Sequence, residues 1–233
     1  LHATALGVYQ PWINGAPLAD RKLAPEFTDP SKRVLYQTYD VTALLRPGAN
    51  MLGMAVGDGW YGSRFSTSAR FSFGPAPCRL LCQLEIEHDD GSRSVIATGK
   101  DWQIADAEVL GHSLYDGEIH DARAEQAGWA SVQGDGGGWR PVVVVSAPKI
   151  PVEPQRCAPI RIRQTLKPAT VKRIGAGRYV LDYGQNFAGF PRLTVSASAG
   201  TRIEMRFAEM LKADGTVDQA NLRLCRIPFG HRR

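Results

Sequence analysis

The 233-residue chain is 43% hydrophobic and 22% charged, the composition of an ordinary globular protein and not of a disordered, collagen-like or coiled-coil chain. Its formal charge of +5 is a property of one end: the last eleven residues hold four arginines and no acid, and without them 24 basic residues face 23 acidic ones. No basic stripe interleaved with aromatics runs through the body, so nucleic acid is not an expected partner. Nor is a membrane, because the longest aliphatic run, Val142 to Val145, is far short of the roughly 20 residues that cross a bilayer.

Apolar residues recur with period two almost throughout, bounded by Gly, Pro, Asn and Asp, which predicts an all-β chain. Asn14-Gly15, between strands at 9–13 and 16–18, marks a hairpin, since both residues tolerate the positive φ of a type I′ turn. Residues 34–39 and 51–56 read as strands, with at most one helical turn at 41–45 before Pro47-Gly48 stops it. Leu80, Cys82, Leu84 and Ile86 alternate with Gln83, Glu85 and Glu87, and Asp90-Gly91 turns the chain into a partner strand at 93–98.

Pro148, Pro151, Pro154 and Pro159 then fall in quick succession and hold the backbone extended. The pattern predicts an antiparallel, jelly-roll-like β-sandwich over residues 1–147, a proline-rich linker over 148–157, and an incomplete second β-sandwich over 158–233. Strands in the second unit are expected at 160–166, 178–182, 193–198 and 202–208. From about residue 224 the tail is basic and has no apolar face, so it is expected to stay mobile and leave the second sandwich unfinished.

The four cysteines, at 78, 82, 157 and 225, have no metal-ligand spacing. On one strand Cys78 and Cys82 would lie about 13 Å apart, beyond disulfide reach. They read as buried free thiols, which suits a reducing cytoplasm. No leader pattern is visible after Leu1, although the absence of a starting Met leaves an upstream segment open.

Candidate chemistry is sparse. Asp116 and Glu118, in the acid-rich segment Tyr115-Asp116-Gly117-Glu118-Ile119-His120-Asp121-Ala122-Arg123, would point to one side of an extended strand about 6.6 Å apart, near the carboxylate separation of inverting glycosidases. The alternative is a solvated or Arg123-paired loop. No Ser or Cys has a nucleophile setting, and Gly57-Asp58-Gly59 lacks the rest of a phosphate loop. Trp60 and Tyr61 follow that turn, where rings beside the Asp58 carboxylate would stack a sugar face and bind its hydroxyls, or would instead plug the end of the core. No metal site or cofactor is expected.

These residues also carry a resemblance. Thr4-Ala5-Leu6-Gly7-Val8-Tyr9, Trp12-Ile13-Asn14-Gly15, Leu23-Ala24-Pro25-Glu26-Phe27-Thr28-Asp29, Lys32-Arg33-Val34-Leu35-Tyr36-Gln37-Thr38-Tyr39-Asp40-Val41-Thr42 and Gly57-Asp58-Gly59-Trp60-Tyr61 together resemble the N-terminal β-sandwich domain of bacterial α-L-rhamnosidases. Tyr115-Asp116-Gly117-Glu118 with Asp121-Ala122-Arg123 is similar to a further segment of that family. Asp182-Tyr183-Gly184-Gln185-Asn186 with Gly189-Phe190, Ala208-Glu209-Met210-Leu211, Asp214-Gly215 and Asn221-Leu222-Arg223 resemble the next β domain.

The resemblance implies an enzyme that acts on rhamnose-containing glycosides, removing terminal α-L-rhamnose with inversion by an acid and a base carboxylate. In the family those carboxylates belong to an (α/α)6 barrel after the β domains, a further stretch of roughly 200 residues. The expectation is therefore a non-catalytic portion whose missing partner is that catalytic domain, with no catalytic residue to carry over. Other expectations are a stand-alone carbohydrate-binding module or a purely structural domain.

Overall fold

The computed structural model describes residues 1–18, 20–63, 72–74, 77–134 and 137–222; the expected aberrant tail from residue 224 lies outside the described residues. The first unit, Leu1–Ile162, is all-β. Its strands are β1 (His2–Leu6), β2 (Val8–Ile13), β3 (Ala16–Pro17), β4 (Val34–Thr38), β5 (Leu52–Gly57), β6 (Arg79–Glu87), β7 (Arg93–Ala97), β8 (Gln103–Ile104), β9 (Val109–Ser113), β10 (Gly117–His120), β11 (Arg140–Pro141) and β12 (Val152–Pro154). Among the described residues no helix exceeds four residues, the length of α1 (Gly59–Gly62).

Two sheets share one core. A five-stranded sheet runs β12-β4-β1-β6-β7 and a three-stranded sheet runs β3-β2-β5. Ala3 and Ala5 of β1 and Cys82 and Leu84 of β6 meet Tyr9 and Ile13 of β2 in a single buried cluster, which makes the pair a sandwich. The period-two reading holds where one face is buried: along β6 the residues alternate in exposure, with Cys82 and Leu84 buried and Gln83 and Glu85 exposed. The Asn14-Gly15 turn has φ of 51° and 86° and sets Ile13 opposite Ala16, the left-handed pair that a type I′ hairpin demands.

The proline-rich stretch belongs to this unit's sheet. β12 lies parallel to β4, with Val152 opposite Val34, and the Val34 amide donates to the Pro151 carbonyl at 2.9 Å. Proline lacks a donor but keeps its acceptor, so it sits at the edge of a ladder without breaking it. Further on, the Ile160 amide and the Gln155 side-chain amide both donate to Glu26 Oε1, at 3.1 and 2.8 Å.

The second unit begins at Arg163. It holds the hairpin β13 (Thr170–Gly175) and β14 (Arg178–Asp182) and the short pair β15 (Met210–Leu211) and β16 (Val217–Asp218). None of its described residues is buried, so it is an incomplete sandwich without a core. Residues 193–198 and 202–208 form no strand, and of 160–166 only an isolated bridge from Arg161 to Arg21 appears. The alternation is there, but a strand also needs a neighbour for its backbone groups. Leu193, Val195, Ile203, Met205 and Phe207 accordingly stay exposed.

Among the described cysteines only Cys82 is buried; Cys78 is half-buried and Cys157 exposed, all three with free thiols. The expectation of uniformly buried thiols fails at Cys157, which follows the edge strand β12 and is exposed. Burial pushes the Cys82 thiol up to about 12.

Candidate functional site

The loop end that carries Asp58, Trp60 and Tyr61 is shaped by close backbone approach. Gly57 closes β5 opposite Val8 of β2, and a Cβ on Gly57 would lie 2.6 Å from the His112 imidazole. Gly59 has φ +50° and a Cβ there would run into Val8. Both glycines of the Gly-Asp-Gly run are thus required by packing. The four-residue α1 follows, with Gly62 N–H donating to the Asp58 carbonyl at 2.9 Å.

Trp60 is half-buried and outside the buried core cluster. Its ring centroid is 6.0 Å from that of Phe27, which is 53% exposed, and Phe27 in turn lies 6.2 Å from Phe73. Tyr61 packs against Gly74, whose amide donates to the Tyr61 carbonyl at 3.1 Å. Trp60 and Tyr61 line a crevice of about 20 Å³ with Pro25, Glu26, Thr28 and Val34. That volume holds about one water, so a sugar ring would lie across its mouth and not inside it. The crevice loop is bent: Leu23 and Glu26 have φ of 54° and 75°, a left-handed backbone that costs non-glycine residues on the order of 1–3 kcal/mol.

The acid-rich segment is a hairpin. β9 and β10 pair antiparallel with Glu118 opposite His112, and Asp116 sits in the connecting turn, not on the strand that carries Glu118. The single extended strand assumed for this pair is absent, because the Ser113 Oγ accepts from the Tyr115 and Asp116 amides, both at 3.2 Å, and curls the chain. Asp116 is half-buried and Glu118 exposed. Arg123 pairs with neither: it clasps Asp121 through Nε–Oδ1 at 2.8 Å and Nη2–Oδ2 at 2.6 Å. Arg123's side-chain and backbone donors hold the Asp121 carboxyl down to about 2.

His112 is the residue that composition and spacing did not single out. Its Nε2 accepts from the Asp58 amide at 3.0 Å, tying the acid-rich hairpin to the Gly57-Asp58-Gly59 turn. Only proximity in the fold could reveal this, since the two segments are 54 residues apart. In the second unit the Asn186 side chain donates to Glu209 Oε1 at 3.4 Å, joining two of the motifs there beside exposed Phe187. Among the described residues no group of three His, Cys, Asp or Glu could hold a metal ion, and no helix is long and apolar enough to cross a membrane.

The first unit is thus a two-layer β-sandwich with aromatic and acidic side chains at one loop end. Residues 1–164 match the α-L-rhamnosidase N-terminal domain and residues 172–227 match the bacterial α-L-rhamnosidase concanavalin-like domain. The chain belongs to the α-L-rhamnosidase family. It is 43% identical to an α-L-rhamnosidase of Streptomyces avermitilis over 96% of this chain and 22% of that one, and 32% identical to one of Alteromonas sp. over 91% and 23%. The solved structure of the Streptomyces avermitilis α-L-rhamnosidase complexed with L-rhamnose superposes with TM-score 0.89 at 42% identity, over 96% of this chain and 22% of that one. The native enzyme from Aspergillus terreus superposes with TM-score 0.75 at 35% identity, over 79% and 22%. The chain therefore spans about a fifth of the length of the curated relatives it matches.

Proposed function

We propose that the chain is a non-catalytic β portion of an α-L-rhamnosidase, working with a catalytic domain that removes terminal α-L-rhamnose from glycosides with inversion. The observation that carries this reading is the ordered match of two successive rhamnosidase domains along one chain. The placement of Asp116 in the β9–β10 turn and of Glu118 on exposed β10 supports a non-catalytic hairpin. The free thiols suit a reducing cytoplasm. Incubation of the purified 233-residue chain with an aryl α-L-rhamnoside should release no product; measurable hydrolysis would return Asp116 and Glu118 to the catalytic role.

A second reading concerns binding. The half-buried Trp60 and Tyr61, beside the exposed Phe27 and on the same turn as Asp58, offer rings on which a pyranose face would stack while its hydroxyls meet a carboxylate. The crevice beneath is small and the contacts few, so the affinity expected is weak. Titration with L-rhamnose followed by NMR should perturb the Trp60 indole, and Trp60→Ala should remove the response. A flat titration at tens of millimolar sugar would leave the sandwich a structural support.

A further inference from the structure

We propose that His112 is the positioning residue of the Asp58–Tyr61 turn, holding it only while the imidazole is neutral with its proton on Nδ1. The inference takes from the sugar-binding reading only the use made of the turn; the geometry stands apart from it.

A backbone amide is always a donor, so the 3.0 Å contact from Asp58 N requires a lone pair on Nε2. The neutral ring must then carry its hydrogen on Nδ1, and an imidazolium, a donor at both nitrogens, cannot make the bond. The contact is also a close one. The ring lies where a Gly57 Cβ would sit, with Nε2 and Cε1 each 2.6 Å from that point, so it reaches the Asp58 amide only because residue 57 is a glycine. Protonation sets one N–H against another inside a packed joint.

This acceptor works beside the Gly62 and Gly74 amides, which donate to the Asp58 and Tyr61 carbonyls at 2.9 and 3.1 Å. A four-residue helix does not sustain itself, and Asp58 makes no side-chain cap hydrogen bond to α1. His112 itself is held by the β9–β10 ladder, so it is a fixed post against which the turn rests. Among the described residues, the charged and titratable groups around this joint include Asp58 on the turn, Glu118 opposite His112 on β10, and Cys78 before β6, whose thiol is pushed up first by burial and then by the Asp58 charge.

The test is an NMR titration of the full chain that follows the Asp58 amide and the His112 ring together over one pH range. The Asp58 amide resonance should shift along a one-proton curve whose midpoint coincides with that of the His112 ring. His112→Gln supplies a side-chain carbonyl that accepts at every pH, so the Asp58 amide should no longer move over this range. A flat Asp58 amide in the wild-type chain would overturn the proposal, as would an unchanged titration in H112Q, which would assign the shift to a group other than His112. The sugar reading is decided separately: rhamnose perturbation of Trp60 should weaken on acidification in the wild type and hold in H112Q. No response to rhamnose at any pH, together with the coupled amide titration, would remove the sugar site and leave the positioning role intact.

Discussion

The phenol of Tyr9 reaches across the sandwich to the side-chain carbonyl of Gln37, 2.5 Å away, and so bonds the three-stranded sheet to the five-stranded one through the core. Gln37 is 1% exposed and its amide continues the chain to the Pro25 carbonyl at 3.2 Å and to Gln155 Oε1 at 3.1 Å. Tyr39 OH lies 3.2 Å from the same phenol. Burial pushes the Tyr9 hydroxyl well above the usual phenol range, so it acts as a neutral donor throughout the accessible pH range.

Tyr9→Phe removes the group on which these partners converge without opening a cavity. The stranded Gln37 carbonyl then stays buried without its donor, and the loss expected is about 1–3 kcal/mol. Urea unfolding of the variant should show a lower midpoint with an unchanged slope. A midpoint equal to wild type would mean that water or Tyr39 takes over the bond.

Gly57→Ala puts a methyl into the His112 ring. The expected cost is about 1–3 kcal/mol, the usual range for overpacking a filled site. Combining it with His112→Ala should recover part of that loss, because the clash disappears. A double mutant as unstable as the sum of the two singles would show that the contact seen at Gly57 is not the cause.

At the end of the acid-rich hairpin, Arg123 holds the Asp121 carboxyl down to about 2. A depressed carboxyl contributes stability above its unfolded value and loses it as pH falls through the folded one. The pair should therefore order this corner at neutral pH and release it between about pH 4 and 2. In an NMR titration, Arg123→Ala should move the Asp121 midpoint up toward ordinary aspartates. An unmoved midpoint would assign the depression to the backbone amide at 123, which also donates to Asp121.

The second unit should open first. A lone two-stranded hairpin is marginal in water, and no described residue after Arg163 is buried. Brief trypsin treatment should cut at Arg192, Arg202 and Arg206 while a fragment containing Leu1–Ile162 persists. Hydrogen exchange at 193–198 and 202–208 should likewise far outpace that in β1, β4 and β6. Protection there equal to the central strands would show that these segments are paired after all.

The sequence by itself determined the class of the fold and the strands whose two faces differ: β6 alternates because one face is dry, and the Asn14-Gly15 hairpin follows from two residues that accept positive φ. It also determined the family, because motifs such as Gly57-Asp58-Gly59-Trp60-Tyr61 are local and ordered along the chain. The tertiary structure decided what depends on a distant partner. Residues 193–198 and 202–208 show the same alternation as β6 but form no strand, since pattern selects a face while a ladder needs a second backbone. Val152–Pro154, read from its prolines as connection, gains a strand's geometry from β4, because Pro151 serves the ladder as an acceptor while the Gln155 amide donates to the Tyr36 carbonyl. The joint between His112 and Asp58 was invisible in sequence for the same reason. A single hydrogen bond between segments far apart in the chain leaves no periodicity and no spacing, and arises only when β5 and β9 are brought together by the sandwich.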